Sequence, residues 1–226
     1  MKRVHADLLF DWEQEQLLQL LGEELKRPLT HIAQLSQLGG KDHIIHIESQ
    51  RALRTIDTVL LYKRLATGQL EMKLEPVHVG SVLAEVLHVV KPQMAISGCQ
   101  SELSINASLH PVSADRTVLL HALVSLWQAY IASAKDATRI NCEAKSVRGG
   151  VRITISSDEV AFHSLSFAKA NRKSKQPVSE LAGAATDLLV ARGIFALSGN
   201  KLTISHLKTS SGIGVTLPIS KQLQFV

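Results

Sequence analysis

The sequence predicts an α+β fold in which an N-terminal two-helix hairpin precedes an α/β sandwich. Apolar residues at helical spacing dominate the first part of the chain, and strand-like and helical segments alternate after Gly68. The 226 residues are 45% hydrophobic and 20% charged, so the chain can bury a sizeable core and is not disordered throughout. The change of pattern divides the chain into a hairpin, residues 1–68, and a sandwich, residues 69–226.

The hairpin is predicted from two apolar patterns on either side of Gly39-Gly40. Apolar residues three and four positions apart predict a first helix over 12–38; they are Leu18, Leu21, Leu25, Pro28, Ile32 and Leu35. A second helix is predicted over 41–66, with one apolar side formed by Ile45, Ala52, Leu53, Ile56 and Leu60. Because two helices cannot enclose a core, we expect two copies to form a dimeric four-helix bundle.

The first part of the sandwich is predicted to contain two strands and two helices. Leu70, Met72 and Leu74 alternate like a half-buried strand that Pro76 limits. Ser81 is the expected cap of a helix that runs to about residue 90, before Pro92. A second strand is expected over 103–107. Asp115 is the expected N-cap of a helix that runs to about residue 134.

The remaining elements follow from turn residues. Gly149-Gly150 separates segments 139–144 and 151–155, which is typical of a β-hairpin. Residues 169–176 have no periodicity and are expected to form a loop. A helix is predicted over 179–197, ended by Ser198-Gly199-Asn200, and two strands over 201–205 and 213–217 close the fold.

Composition and charge exclude several classes of protein. Cys99 and Cys142 match neither a disulfide framework nor a CxxC metal site. No apolar run approaches the roughly 18 residues that indicate a membrane span. The first residues lack the pattern of a signal peptide, so we expect a cytoplasmic protein without a membrane partner. The net charge of +5 is compatible with nucleic-acid binding but does not argue for it.

Several motifs resemble the transmitter core of sensor histidine kinases. Residues 23–30, Glu-Glu-Leu-Lys-Arg-Pro-Leu-Thr, are similar to the phosphoacceptor box His-Glu-Leu-Arg-Thr-Pro-Leu-Thr of that family. Residues 67–77 resemble the join between its two domains, Asp115 with Leu119 and Leu126 resembles the start of its first nucleotide-site helix, and residues 214–218 resemble its closing strand. The resemblance spans about residues 15–220. It implies a dimerising hairpin and an ATPase-like sandwich.

The phosphoacceptor box differs from that of the family at two positions. Glu23 stands where the family has its phosphorylated histidine, and a carboxylate cannot form the N-phosphate that the family passes to a receiver domain. Glu23 either imitates the charge of that phosphate or is one solvated helix glutamate among several. Arg27 stands where the family often has a threonine that positions water for receiver dephosphorylation.

The nucleotide-site motifs also differ. Ser125 and Ala129 replace two asparagines that help the family hold magnesium and phosphate. Asp158 is available for the role of the family's adenine-binding aspartate, but the glycines that follow that aspartate in the family motif are absent here. In the phosphate loop, Gly183 alone matches the family's glycines, and Ala185 and Asp187 replace two others. Asp187 is expected in the first turn of the last helix, where its negative charge would interact favourably with the helix dipole. The resemblance implies ATP and Mg²⁺ as ligands, and these substitutions argue against their binding.

These observations favour a homodimeric signalling pseudokinase that binds the receiver domain of a response regulator, or a partner histidine kinase, without any cofactor. One alternative is an active kinase or phosphotransferase that uses displaced residues, such as a phosphoacceptor at His31. Another is a nucleic-acid-binding regulator, which the basic excess permits. His43 and His46 form at most half of a metal site. Basic residues at 169–175 lie where the family has its nucleotide lid and could contact an acidic partner; they are Lys169, Arg172, Lys173 and Lys175.

Overall fold

The computed structural model describes residues 25, 28–32, 34–35, 42–134, 137–157, 182–206 and 211–220. After the helical residues 25, 28–32 and 34–35, the described residues form four long helices: α1 (Asp42–Ala66), α2 (Val79–Ile96), α3 (Arg116–Ser133) and α4 (Ala182–Leu197). They also form seven strands: β1 (Glu75–Val77), β2 (Gln100–Ile105), β3 (Val112–Ala114), β4 (Arg139–Val147), β5 (Gly150–Ser157), β6 (Thr203–His206) and β7 (Ser211–Pro218).

Five of the strands form one mixed sheet in the order β2-β4-β5-β7-β6. The pair β2–β4 is parallel, and the other neighbours are antiparallel. The short strands β1 and β3 form a separate antiparallel pair. Alternate residues of β4, β5 and β7 join residues of α2, α3 and α4 in one hydrophobic core. The described part of the chain is therefore a sheet covered by a layer of helices, which confirms the predicted α/β sandwich.

Turn and cap residues lie where the sequence predicts them at most element ends. Asp115 is the N-cap of α3, which ends at Ser133. Gly149 has a φ of +85° in the turn between β4 and β5, and Gly199 has a φ of +74° just after α4. Both conformations favour glycine because it has no Cβ. Cys99 and Cys142 are both buried, and burial raises the pKa of the Cys142 thiol to about 12.

The segment between the hairpin and α2 differs from the prediction. Residues 71–74 form no strand; the strand is β1, and it contains Pro76. Proline is tolerated there because β1 belongs to a two-stranded pair, where an N–H can remain outside the ladder. Leu74 is 63% exposed, so the alternation of leucines did not mark a buried strand. Likewise, β2 ends at Ile105, before the predicted end at residue 107.

Helix α2 begins earlier and ends later than predicted. His78 is its N-cap and makes no side-chain cap hydrogen bond, so the expected cap Ser81 lies inside the first turn. Pro92 lies within the helix and does not end it. The helix continues because Gln93 and Met94, directly after the proline, are buried. Helix α2 is apolar and long enough to cross a membrane by composition alone, but its apolar side packs in the core of the sandwich.

Part of the hairpin lies within the described residues. Residues 28–32 and 34–35 are helical, with Pro28 and Leu35 buried and Ile32 half-buried, as the apolar spacing predicts. The predicted apolar side of α1 is divided: Ala52 is buried, whereas Leu53 and Leu60 are 54% and 45% exposed. The Gly39-Gly40 turn and most of the first helix lie outside the described residues.

The C-terminal half of α1 packs directly on the sandwich. The Thr58 hydroxyl and Nδ1 of His121 in α3 are 2.9 Å apart. Gly193 of α4 lies against the ring of Tyr62. Val59 and Leu65 belong to the same hydrophobic core as the sheet and the other helices. Hairpin and sandwich therefore share one core instead of being joined only through a linker.

Candidate functional site

The candidate nucleotide site is built on α3, whose start is fixed by Asp115. The Asp115 Oδ1 atom accepts a hydrogen bond of 3.1 Å from the Val118 N–H, and Oδ2 accepts one of 2.9 Å from the Lys73 N–H. The first bond caps the helix, and the second holds the segment that joins hairpin and sandwich. Both oxygens of this carboxylate are therefore engaged in structural hydrogen bonds.

Ser125 and Ala129 lie one helical turn apart on α3, as the resemblance places them, but neither reaches solvent. Ser125 is 1% exposed and Ala129 is fully buried. Every residue from Ala122 to Ile131 is buried, so this part of the helix is covered on all its sides. Ala129 has no side-chain oxygen, and a metal or phosphate at Ser125 would have to enter a closed interior.

Helix α4 packs against α3 and contains the residues aligned with the phosphate loop. Residues 183–188 are all helical. Amides beyond the first four residues of a helix bond to carbonyls of the preceding turn, so the amides of Thr186, Asp187 and Leu188 are used inside α4. Those amides cannot cradle a phosphate in this conformation. Gly183 and Ala185 lie in the first turn of α4.

Asp187 does not lie where the sequence analysis placed it. It is the sixth residue of α4, in the second turn, and the first turn contains no acidic residue. The side chain is only 6% exposed. The prediction of a first-turn position was wrong because α4 already begins at Ala182. Asp187 therefore lies within the contact region of the helices and does not serve as a charge at the helix N-terminus.

The sequence analysis missed Tyr130, which follows Ala129 and extends into the sheet. The Tyr130 hydroxyl donates a 2.7 Å hydrogen bond to the Ile155 carbonyl and accepts one of 3.2 Å from the Ile213 N–H. Ile155 and Ile213 face each other in the β5–β7 pair. Burial raises the pKa of this phenol well above its ordinary value. A tyrosine inside a mostly apolar helix was the available signal, since a buried hydroxyl needs a partner.

Trp127 and Gln128 add polar atoms without partners to the same helix. Both residues are buried, and Trp127 Nε1 and Gln128 Nε2 have no hydrogen-bond partner among the described residues. Unpaired buried donors cost free energy and need a specific reason to persist. Together with Tyr130, they place bulky side chains beside the two positions where the family has asparagines.

Several predicted site residues lie outside the described part of the chain. They are Glu23, Arg27, Asp158 and the basic residues Lys169, Arg172, Lys173 and Lys175. His31, His43 and His46 are described, and all three are exposed. Within the described residues, no group of three or more histidines, cysteines and acidic residues is arranged to hold a metal ion.

Comparison with solved structures identifies the fold as that of a histidine kinase core. The chain superposes on the histidine kinase AdeS of Acinetobacter baumannii with a TM-score of 0.61, covering 87% of this chain and 98% of that one at 14% identity. A histidine kinase from Burkholderia phymatum gives a TM-score of 0.52 at 14% identity, covering 91% of this chain and 95% of that one. Full-length ShkA, solved in complex with AMPPNP, gives 0.58 at 17% identity, covering 95% of this chain and 46% of that one.

Sequence identities of 14–17% establish a shared fold but not a shared activity. No family model matches the sequence, and no curated protein matches it. The shared architecture, a helical part followed by an α/β ATPase-like domain, confirms the fold class and the family resemblance in the sequence.

Proposed function

We propose that the chain is a two-component signalling protein of the histidine kinase type that has lost phosphoryl transfer from ATP. The main support for the proposal is that all the positions aligned with the phosphate loop lie within helix α4. The burial of Ser125 and Ala129 supports it, because the face that holds magnesium and phosphate in the family is closed here.

Thermal unfolding with Mg-ATP tests the loss of nucleotide binding. A ligand stabilises by RT ln(1 + [L]/Kd), so millimolar Mg-ATP should leave the melting temperature unchanged if the site does not form. A rise of several degrees would contradict the proposal and favour an active kinase. Incubation with labelled ATP is the matching chemical assay, and retained label would contradict it as well.

We further propose that the protein acts as a homodimer through the hairpin, residues 1–68, and carries the sandwich, residues 69–226, on it. Leu29, Leu53 and Leu60 support this proposal because they are 57%, 54% and 45% exposed in the single chain. Exposed leucines on one helical hairpin are typical of an interface with another helix. The parent chain should be a dimer by light scattering at micromolar concentration, and a clean monomer would argue against a homodimer.

The dimer is proposed to bind a response-regulator receiver or a partner kinase in the cytoplasm. The proline box is retained around Glu23, so a docking surface can persist where phosphoryl transfer has ceased. We expect micromolar affinity for a cognate receiver, typical of small transient interfaces. Glu23→Arg should weaken this binding, whereas Glu13→Arg, away from the box, should not. Equal binding by both variants would contradict a role for the charge of Glu23.

The variant Glu23→His separates docking from ATP chemistry. It should not become phosphorylated by ATP, because the nucleotide site is impaired independently. It should accept phosphate from a phosphorylated receiver, since that transfer needs only the imidazole and the docking surface. Failure of this back-transfer with every receiver from the same cell would count against docking at the box.

A further inference from the structure

Arg54, in the middle of α1, is a partly buried cation without a partner. Its Nε atom is buried and forms no hydrogen bond, and its guanidinium forms no ion pair within the described residues. Removing a charged group from water costs free energy, so proteins usually pair such groups with an opposite charge. A partly buried guanidinium with an unbonded Nε–H is therefore suited to bind an anion.

A second arginine one turn earlier increases the positive charge. The nearest Arg51 nitrogen is 4.0 Å from a carboxylate oxygen of Glu48, at the outer limit of an ion pair, and these side chains are 17% and 10% exposed. Burial, and after it the like charge of Arg51, lowers the pKa of Arg54. Arg51 and Arg54 thus lie about one turn apart on α1, and within the described residues the long contact of Arg51 with Glu48 is the one ion pair that either of them forms.

The two arginines lie on the side of α1 that approaches the sandwich. Positions 51, 54 and 58 are three and four residues apart, so their side chains share one face of the helix. Thr58, the last of the three, contacts His121 of α3. Guanidinium groups bind carboxylate and phosphate oxygens with two parallel hydrogen bonds, which makes arginine the usual ligand for these groups.

We propose that Arg51 and Arg54 form an oxyanion-binding site on α1 beside the sandwich, which takes a phosphoryl or carboxylate group. The free ion and an acidic side chain of a protein partner offer the same chemistry. The site does not depend on the proposed loss of ATP binding or on the docking of a receiver. Its ligand neutralises a charge that no described residue pairs.

Inorganic phosphate and the variant Arg54→Met test this site. In the full-length chain, phosphate should raise the melting temperature saturably, compared with chloride at equal ionic strength. Arg54→Met should weaken the apparent phosphate affinity at least tenfold. The matched control is Arg64→Met, because Arg64 lies on the same helix and is exposed. This control should change the affinity less than twofold.

The same variant gives a second prediction without any anion. Arg54→Met keeps an apolar side chain of similar length and removes an unpaired charge, so in phosphate-free buffer it should melt at the same or a higher temperature than the parent. A lower melting temperature would mean that the guanidinium already has a partner, and would overturn the proposal.

Two further measurements complete the test. A tetraglutamate peptide in place of phosphate distinguishes the two sources: stabilisation by the peptide supports an acidic protein partner, and stabilisation by phosphate alone supports a phosphoryl group. In the unmutated protein, the Arg54 Nε–H resonance should shift on phosphate addition in step with the thermal titration. No saturable effect of either anion, or equal loss of binding in the Arg54 and Arg64 variants, would overturn the proposal.

Discussion

The contact between α1 and α4 predicts that the effect of Gly193→Ala changes sign with the residue at position 62. A Cβ added at Gly193 would overlap the Tyr62 ring, lying 2.9 Å from Cζ and 3.1 Å from Cδ2. Such overpacking costs about 1–3 kcal/mol. Alanine in place of glycine within a helix contributes about 1 kcal/mol in the opposite direction. Gly193→Ala should therefore lower the free energy of unfolding by up to about 2 kcal/mol.

The double-mutant cycle with Tyr62→Ala isolates this contact. Without the ring, only the helix-propensity gain remains, so Gly193→Ala should stabilise the Tyr62→Ala protein by about 1 kcal/mol. Urea unfolding followed by circular dichroism gives the four free energies. Gly80→Ala is the control, because its new Cβ would meet Ile105 at an ordinary 3.7 Å, and its effect should not depend on position 62. Equal stabilisation by Gly193→Ala in both backgrounds would refute direct packing of the hairpin on the sandwich.

Three other substitutions test single interactions by urea unfolding. Asp115→Ala removes the cap of α3 and the hydrogen bond to the linker, and should cost about 1–2 kcal/mol; an unchanged midpoint would contradict both roles. Tyr130→Phe leaves strand groups of β5 and β7 without their buried hydroxyl partner, and should cost about 1–3 kcal/mol; an unchanged free energy of unfolding would contradict this role. Burial lowers the pKa of His121 despite the opposing charge of Asp57. The unfolded chain, with a histidine pKa near 6.5, then binds the proton first as the pH falls. The parent should therefore lose more stability between pH 7.5 and 5.5 than His121→Asn, and equal losses would contradict this assignment.

The Thr58 hydroxyl lies 2.8 Å from the Arg54 carbonyl oxygen and 2.9 Å from Nδ1 of His121. The direction of the second hydrogen bond depends on the tautomer of His121, because the hydroxyl has a single proton.

The sequence predicted those elements whose ends are set by local chemistry. Asp115, Gly149 and Gly199 each satisfy a backbone requirement that depends only on neighbouring residues, and the structure confirms all three positions. The order of helices and strands in the sandwich was also predictable, because apolar residues in those segments follow one clear period.

The errors occurred where tertiary packing outweighed a local signal. Pro92 normally ends a helix, but the burial of Met94 extends α2 past it. The leucines at 70 and 74 alternate, yet that segment crosses the surface between hairpin and sandwich. The side of α1 that faces the sandwich could not be identified, since Thr58 and Tyr62 interrupt its apolar pattern.

The candidate site was predictable in position but not in shape. Ser125, Ala129 and residues 183–188 were located by the order of motifs alone. The packing of α4 over α3 was not predictable, because it depends on contacts between residues some sixty positions apart along the chain. The guanidinium of Arg54, for which the described residues supply no ion pair, gives no signal in the sequence, since a surface arginine on a helix has the same pattern.

The shared core of hairpin and sandwich has a consequence for how the molecule can be divided. Val59 and Leu65 are 7% and 8% exposed and belong to the same core as the central strands, so removing residues 1–68 would expose the surfaces of α3 and α4 that α1 covers. A fragment beginning at residue 69 should therefore aggregate or melt early, and adding residues 1–68 in trans should restore it. If a protease cuts the exposed junction at Gly68, the two parts should stay associated and unfold together, because both lose their packing in one cooperative transition.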